Sequence, residues 1–318
     1  MSLVVDAMQP TIVRGLLSIS GRLERGAIAD IILPENRIGY DLDLNGDVLC
    51  FDFRDKNVLA LSAAKDICRF ANASFTTYKS LPSAIEDGTR LAWSLIQAYY
   101  SAFYAGHALI RITGQSCSNF EGIHIAHLRK IIAALGLIAS GPLETGMYHL
   151  VFNQGQTGFI CKKASGRSGG AHEVFWKIFG EYISALSEDA LLGHLAPTEA
   201  RDASLKLDEL SSLLKRNGSN SYNWLSNVRN QIQYQHSHGV WPSVSINKTK
   251  RASLSRVCLE RYKEPMEIDL DARGRDDLTN FVFACGFIVS LCEAMIKRIQ
   301  NRSDDRMKSF AKNPLLYR

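Results

Sequence analysis

The chain has 318 residues, of which 46% are apolar and 22% charged, and its formal net charge is +5. These values are ordinary for a folded protein with a sizeable core, arranged in one large domain or two modest ones. Its seven cysteines include no CxxC pair and no spacing typical of zinc ligands, which argues against a disulfide scaffold or a metal site and favours buried free thiols.

The chain shows neither a membrane segment nor a targeting signal. Its longest apolar run, FVFACGFIVSLC at 281–292, is too short to cross a membrane. The N-terminus, MSLVVDAMQP, lacks the basic start and long apolar region of a signal peptide. We therefore expect a cytoplasmic protein. The mild positive charge permits nucleic-acid binding but does not require it.

The first 60 residues are predicted to form a small β-rich module. TIVRGLLSISGRL at 11–23 and AIADIIL at 27–33 are short β-branched runs separated by glycine, and the turn sequence PEN follows them. In DLDLNGDVLCFDF, Asn45-Gly46 lies between two alternating segments, which is a strong hairpin signal.

Residues 61–302 are predicted to be mainly α-helical, because apolar residues recur there at spacings of three and four. One helix is expected to begin at Ser62 and end at Pro82, and a long helix is expected to follow, ending at Gly114. The further helices are predicted over 121–136, 172–188, 198–217, 222–237 and 275–302. The glycine-rich basic stretch 153–171 is interpreted as a mobile loop, and the polar tail 303–318 as loose.

The stretch YNWLSNVRNQIQYQHSHGVW at 222–241 carries the residues with the clearest chemistry. On a helix, Arg229 and His236 would differ by about 20° in direction and flank an apolar stripe. An imidazole can exchange a proton near pH 7, and a guanidinium grips phosphate oxygens. The pair suits metal-free cleavage of RNA through its own 2′-hydroxyl, with the arginine stabilising the charged transition state.

The spacing alone is a weak signal. A second Arg-to-His pair, Arg167 and His172, occurs in the glycine-rich loop, which has no regular frame to hold it. The plain alternative is a solvated helix face whose histidine is satisfied by water or a neighbour. His238 is interpreted as a residue at the helix end, and Tyr234 and Trp241 either pack or stack on bases.

Two segments together resemble the HEPN superfamily. RNQIQYQH resembles that family's Arg-Asn-spacer-His signature, and LAWSLIQAYYSAFYAGHALIRITG at 91–114 resembles its earlier long, tyrosine-rich helix. The resemblance covers roughly 83–140 and 220–302. It leaves the β-rich module outside and makes 141–219 look like an insertion in the helical domain 61–302.

The resemblance implies an up-and-down helical bundle that forms a homodimer with a composite active site. It also implies an endoribonuclease that needs no metal or cofactor, of the kind found in toxins and antiphage defence systems. Arg229 and His236 would be the catalytic pair, and Asn230 would orient them. The implied partners are RNA, often tRNA, and an antitoxin or sensor protein.

Two groups of basic residues are candidates for holding RNA phosphates, or else are ordinary solvated surface. They are Lys248, Lys250, Arg251 and Arg256 after the signature, and Lys162 and Lys163 in the glycine-rich stretch. The alternative function is a non-catalytic HEPN-like protein that binds a nucleotide or a partner nucleotidyltransferase. Where the side chains of Arg229 and His236 point is expected to distinguish the two.

Overall fold

The fold is known from a computed structural model, which describes residues 2–21, 23, 27–55, 57–88, 90–164, 170–241 and 246–318. The helices in these ranges are α1 (Leu3–Met8), α2 (Val58–Lys79), α3 (Leu81–Asp87), α4 (Leu91–Ile112), α5 (Gly122–Ala134), α6 (Ala171–Leu192), α7 (Pro197–Leu214), α8 (Trp224–Tyr234), α9 (Lys248–Leu259), α10 (Asp277–Arg302) and α11 (Lys312–Leu315). The strands are β1 (Tyr40–Asn45), β2 (Val48–Phe53), β3 (Gln115–Phe120), β4 (Gly146–Phe152) and β5 (Gly158–Lys163). The prediction of a mainly α-helical fold is confirmed.

The strands form one antiparallel sheet in the order β1-β2-β5-β4-β3. The hairpin prediction is confirmed, since Asn45 pairs with Val48 and Gly46 adopts a left-handed φ of 67° in the turn. Strand β2 then pairs with β5, so the hairpin from the first 60 residues shares its sheet with strands from 115–163.

Two of the predictions for irregular and extended segments are wrong. Six of the nineteen residues in the expected loop 153–171 form β5, because Phe159 packs against Phe51 with their ring centroids 4.8 Å apart. Arg167 lies outside the described residues. The β-branched runs at 11–33 contain 3-10 turns instead of strands, because buried side chains such as Leu16 and Ile31 are packed in the core.

The core is built around α4, which packs mainly on α2 and α10. The expected single helix over 83–114 is two helices, since Gly88 adopts a left-handed φ of 74° between α3 and α4. By length and composition α10 could cross a membrane, but 83% of its most apolar window is buried, as is common for a core helix of a soluble protein.

A buried ion pair fixes α4 to α2. Arg111 Nε donates to Asp66 Oδ2 at 3.0 Å, and both side chains are 2% exposed. Helix α6, from the segment that looked like an insertion, adds Phe175 and Trp176 to the same core. Helix α4 therefore contacts α2 as well as α6 and α8.

The polar tail is packed and not loose, which corrects the prediction for 303–318. Phe310 and Ala311 are buried, and Cys68 Sγ donates to the Phe310 carbonyl at 3.2 Å. Helix α11 of this tail contacts α2 and α10, and the burial of the tail's apolar side chains stabilises this packing.

Candidate functional site

The signature helix α8 ends at Tyr234, two residues before His236. His236 has a left-handed φ of 53°, lies outside the helix and is exposed. The expectation that Arg229 and His236 share one helical face is therefore wrong. The physical reason lies at the helix end, where Trp241 Nε1 donates to the Ile232 carbonyl at 2.8 Å and takes the place of a continued helical turn.

Arg229 is the most unusual charge in this region, because it is only 6% exposed. Its guanidinium carbon lies 5.1 Å from the ring centroid of Tyr99 and 6.0 Å from that of Tyr100, as in cation–π contacts. One terminal nitrogen donates to Gln233 Oε1 at 3.2 Å, and Nε has no hydrogen-bond partner. Within the described ranges no carboxylate pairs with this arginine.

A second histidine, His172, belongs to the surroundings of Arg229. It lies in the first turn of α6, and its Nδ1 is 2.8 Å from the Tyr99 hydroxyl oxygen. Trp176 Nε1 donates to that same oxygen at 2.9 Å. The Tyr99 hydroxyl therefore links the indole of Trp176 to the imidazole of His172 in one chain of hydrogen bonds.

The charge state of His172 follows from its environment. Burial, followed by the charge of Arg229, lowers its pKa from 6.5 to about 4. The ring is therefore neutral at pH 7, as suits a group beside a buried cation. The sequence pointed to His172 only through its spacing from Arg167. Nothing in the sequence shows that α6 packs beside Tyr99.

His236 has different neighbours from Arg229. Its ring centroid is 6.0 Å from that of Trp241, which in turn contacts Trp93 edge to face at 5.6 Å. Asn230 is half-buried, and the structure gives its side chain no hydrogen bond to any described residue. The structure thus joins Arg229 to Tyr99 and His172, and joins His236 to an aromatic cluster at the end of α8.

The basic residues after the signature are not equivalent. Lys250 pairs with Asp276 and donates to Thr279 Oγ1 at 2.7 Å, so its charge is already neutralised. Lys248 and Arg256 are exposed and have no ion-pair partner among the described residues. Arg251 packs its guanidinium against Gly88, before α4.

The lysines of β5 are paired as well. Lys162 lies 3.3 Å from Asp47, and Lys163 pairs with Glu144. Both line a cavity of about 220 Å³ together with Lys177 of α6. The charges of both lysines are thus partly compensated by carboxylates at the surface.

No metal site emerges from the described residues, since none of their His, Cys, Asp or Glu side chains form a group of three or more suited to hold an ion. Comparisons of the chain with protein-family profiles, with curated proteins and with solved structures found no match. Function must therefore be inferred from the chain's own residues.

Proposed function

We propose that this protein is an endoribonuclease of the HEPN type, which cleaves RNA through its 2′-hydroxyl without a metal ion. The observation that carries this proposal is the buried charge of Arg229, for which no described residue supplies a carboxylate partner. The two other buried arginines of the described ranges each face a carboxylate, Arg111 with Asp66 at 3.0 Å and Arg261 with Glu293 at 2.8 Å. An unpaired buried charge is costly, and an anion from outside the chain would relieve that cost.

A phosphodiester is the anion that this arginine suits best. A guanidinium presents a planar fork of donors that matches two phosphate oxygens. A phosphate oxygen would replace Gln233 Oε1, the neutral acceptor that now receives one terminal N–H of Arg229. The surrounding aromatic rings keep water away and so strengthen the attraction.

His236 supplies the proton transfer in this proposal. Its exposed imidazole takes the proton of the ribose 2′-hydroxyl, whose oxygen attacks the adjacent phosphorus. The new 2′-O–P bond forms as the P–O5′ bond breaks, leaving a 2′,3′-cyclic phosphate and a 5′-hydroxyl. A second copy of the chain would bring the imidazolium that protonates the leaving oxygen, which is why we propose a homodimer.

The first test compares purified wild-type protein with Arg229→Gln and His236→Gln on single-stranded RNA, in the presence of EDTA. His238→Gln is the matched control, because His238 lies in the same segment but bonds to Gln231 at 2.8 Å. We expect both site variants to lose cleavage by roughly 100- to 10,000-fold and the control to retain it. The DNA version of the substrate should remain intact.

Either of two results would contradict the proposal. One is equal cleavage by wild type and both site variants, and the other is cleavage that requires a divalent cation. Sequencing of RNA ends after brief expression in cells would then identify the target, with tRNA as the first candidate. Strong growth arrest by wild type but not by His236→Gln would support a toxin or antiphage role.

A second candidate function is a non-catalytic binding protein, and the burial of Arg229 favours it. A side chain that is 6% exposed can hold a phosphate group of a nucleotide without any chemistry following. Wild type that binds a nucleotide or a partner nucleotidyltransferase in an Arg229-dependent way, yet cuts no RNA, would establish this alternative.

A further inference from the structure

An exposed aromatic surface lies beside His236 and is not used by the proposed chemistry. Trp93, in the first turn of α4, is 52% exposed, whereas Trp176 and Trp224 are at most 1% exposed. Its ring meets that of Trp241 at an interplanar angle of 85° and a centroid distance of 5.6 Å. We call Trp93 and Trp241 together the Trp93 patch, which His236 adjoins through its contact with Trp241.

The Trp93 patch is held in place from beneath. The indole N–H of Trp241, the one polar group of its side chain, donates to the Ile232 carbonyl at 2.8 Å. The edge-to-face contact then fixes Trp93 against it, in the arrangement that aromatic pairs prefer. The remaining surface is an aromatic face with little freedom to lose on binding, which is the property of a stacking platform.

Charged groups at the start of α4 lie close to this platform. Arg90 is exposed three residues before Trp93, and Arg251 packs against Gly88, with its Nε lacking a hydrogen-bond partner. Asp87 lies in the same turn and has contacts of its own, so the local charge is mixed. Stacking, more than phosphate attraction, must therefore provide the affinity of this surface.

We infer that the Trp93 patch binds an unpaired base of single-stranded nucleic acid, stacked on the exposed face of Trp93. A flat π-face suits a base better than it suits an aliphatic side chain, and bases inside a duplex are not free to reach it. Because Trp241 links Trp93 to His236, a stacked nucleotide would bring its ribose towards the imidazole. That last step rests on the proposed function, whereas base binding does not.

The test uses a short, fluorescein-labelled single-stranded DNA, which lacks the 2′-hydroxyl and so cannot be cut. Binding is measured by fluorescence anisotropy for wild type, Trp93→Ala and Trp93→Phe. Tyr262→Ala is the matched control, because Tyr262 is also an aromatic residue and is also 52% exposed. Emission from the buried Trp176 and Trp224 reports whether each variant is folded.

We expect Trp93→Ala to raise the Kd roughly 5- to 150-fold, the range typical of one lost stacking contact. Trp93→Phe should recover most of the affinity, Tyr262→Ala should bind like wild type, and a duplex of the same sequence should bind more weakly. Binding should also quench tryptophan emission in wild type, and less so in Trp93→Phe.

Three results would overturn the inference. They are wild-type affinity in Trp93→Ala, an equal loss in Trp93→Ala and Tyr262→Ala, or a patch that binds no oligonucleotide and instead controls self-association. The outcome is separable from that of the nuclease proposal. Trp93-dependent binding without RNA cleavage would support the base-binding patch and contradict the nuclease proposal. RNA cleavage whose KM is unchanged in Trp93→Ala would support the nuclease proposal and contradict the base-binding patch.

Discussion

The pKa of His172 makes the site geometry testable without any substrate. An unfolded histidine titrates near 6.5, while burial and the charge of Arg229 lower the pKa of His172 to about 4 in the folded protein. Between these two values the unfolded chain binds more protons than the folded one. The free energy of unfolding must therefore fall as the pH drops from 6.5 to 4, and it gains nothing further from this group above 6.5.

The size of the effect can be worked out from the same interval. At about 1.36 kcal/mol per pH unit, the interval corresponds to about 3.4 kcal/mol. The ring is only partly buried, and water screens its charge. We therefore expect protonation of His172 to lower the free energy of unfolding by about 1–2 kcal/mol between pH 6.5 and 4. His172→Gln removes this effect, and Gln can still form a hydrogen bond with the Tyr99 hydroxyl.

The assay is urea unfolding of wild type and His172→Gln at pH 7.5, 5.5 and 4.5. Subtracting the variant from wild type cancels the contributions of the other histidines. NMR titration of the His172 ring should give a midpoint well below 6.5, and Arg229→Gln should move it upward without restoring 6.5, because burial is the larger cause. Identical pH dependence in both proteins would refute the placement of His172 against Arg229.

Three further predictions concern the frame and the surface around the site. Asp66→Ala strands the buried charge of Arg111 and should lower the free energy of unfolding by about 3–5 kcal/mol in urea. Lys248→Ala should reduce the salt dependence of RNA binding by about one counterion, whereas Lys250→Ala should leave it unchanged, as filter binding at several salt concentrations will show. Deletion of 303–318 should lower the melting temperature, because it uncovers apolar core, and an unchanged melting curve would contradict the packed tail.

The helical part of the fold was accessible to sequence reasoning, because periodic apolar stripes reflect burial directly. The hairpin at Asn45-Gly46 was accessible for a local reason too, since few residues adopt a left-handed φ at low cost. The pairing of β2 with β5 was not accessible. It joins segments about 110 residues apart in the sequence, and the glycines on both sides of β5 are typical of a loop.

The site divides in the same way. Arg229 could be singled out from its neighbours in the sequence, but its burial beneath Tyr99 and Tyr100 could not. The end of α8 was misjudged because the indole of Trp241 closes the helix from seven residues beyond Tyr234. A contact of that kind is tertiary, and no local propensity encodes it.

The junction of α4, α6 and α8 explains why an external anion is the simplest partner for Arg229. Among the described residues, the groups that these helices place against the guanidinium are neutral, namely the rings of Tyr99 and Tyr100, the uncharged imidazole of His172 and the amide of Gln233. Cation–π contacts of this kind contribute about 0.5–2 kcal/mol each, less than a buried charge loses on leaving water. A phosphate would supply the missing charge, and it would do so in surroundings dry enough to make the attraction strong.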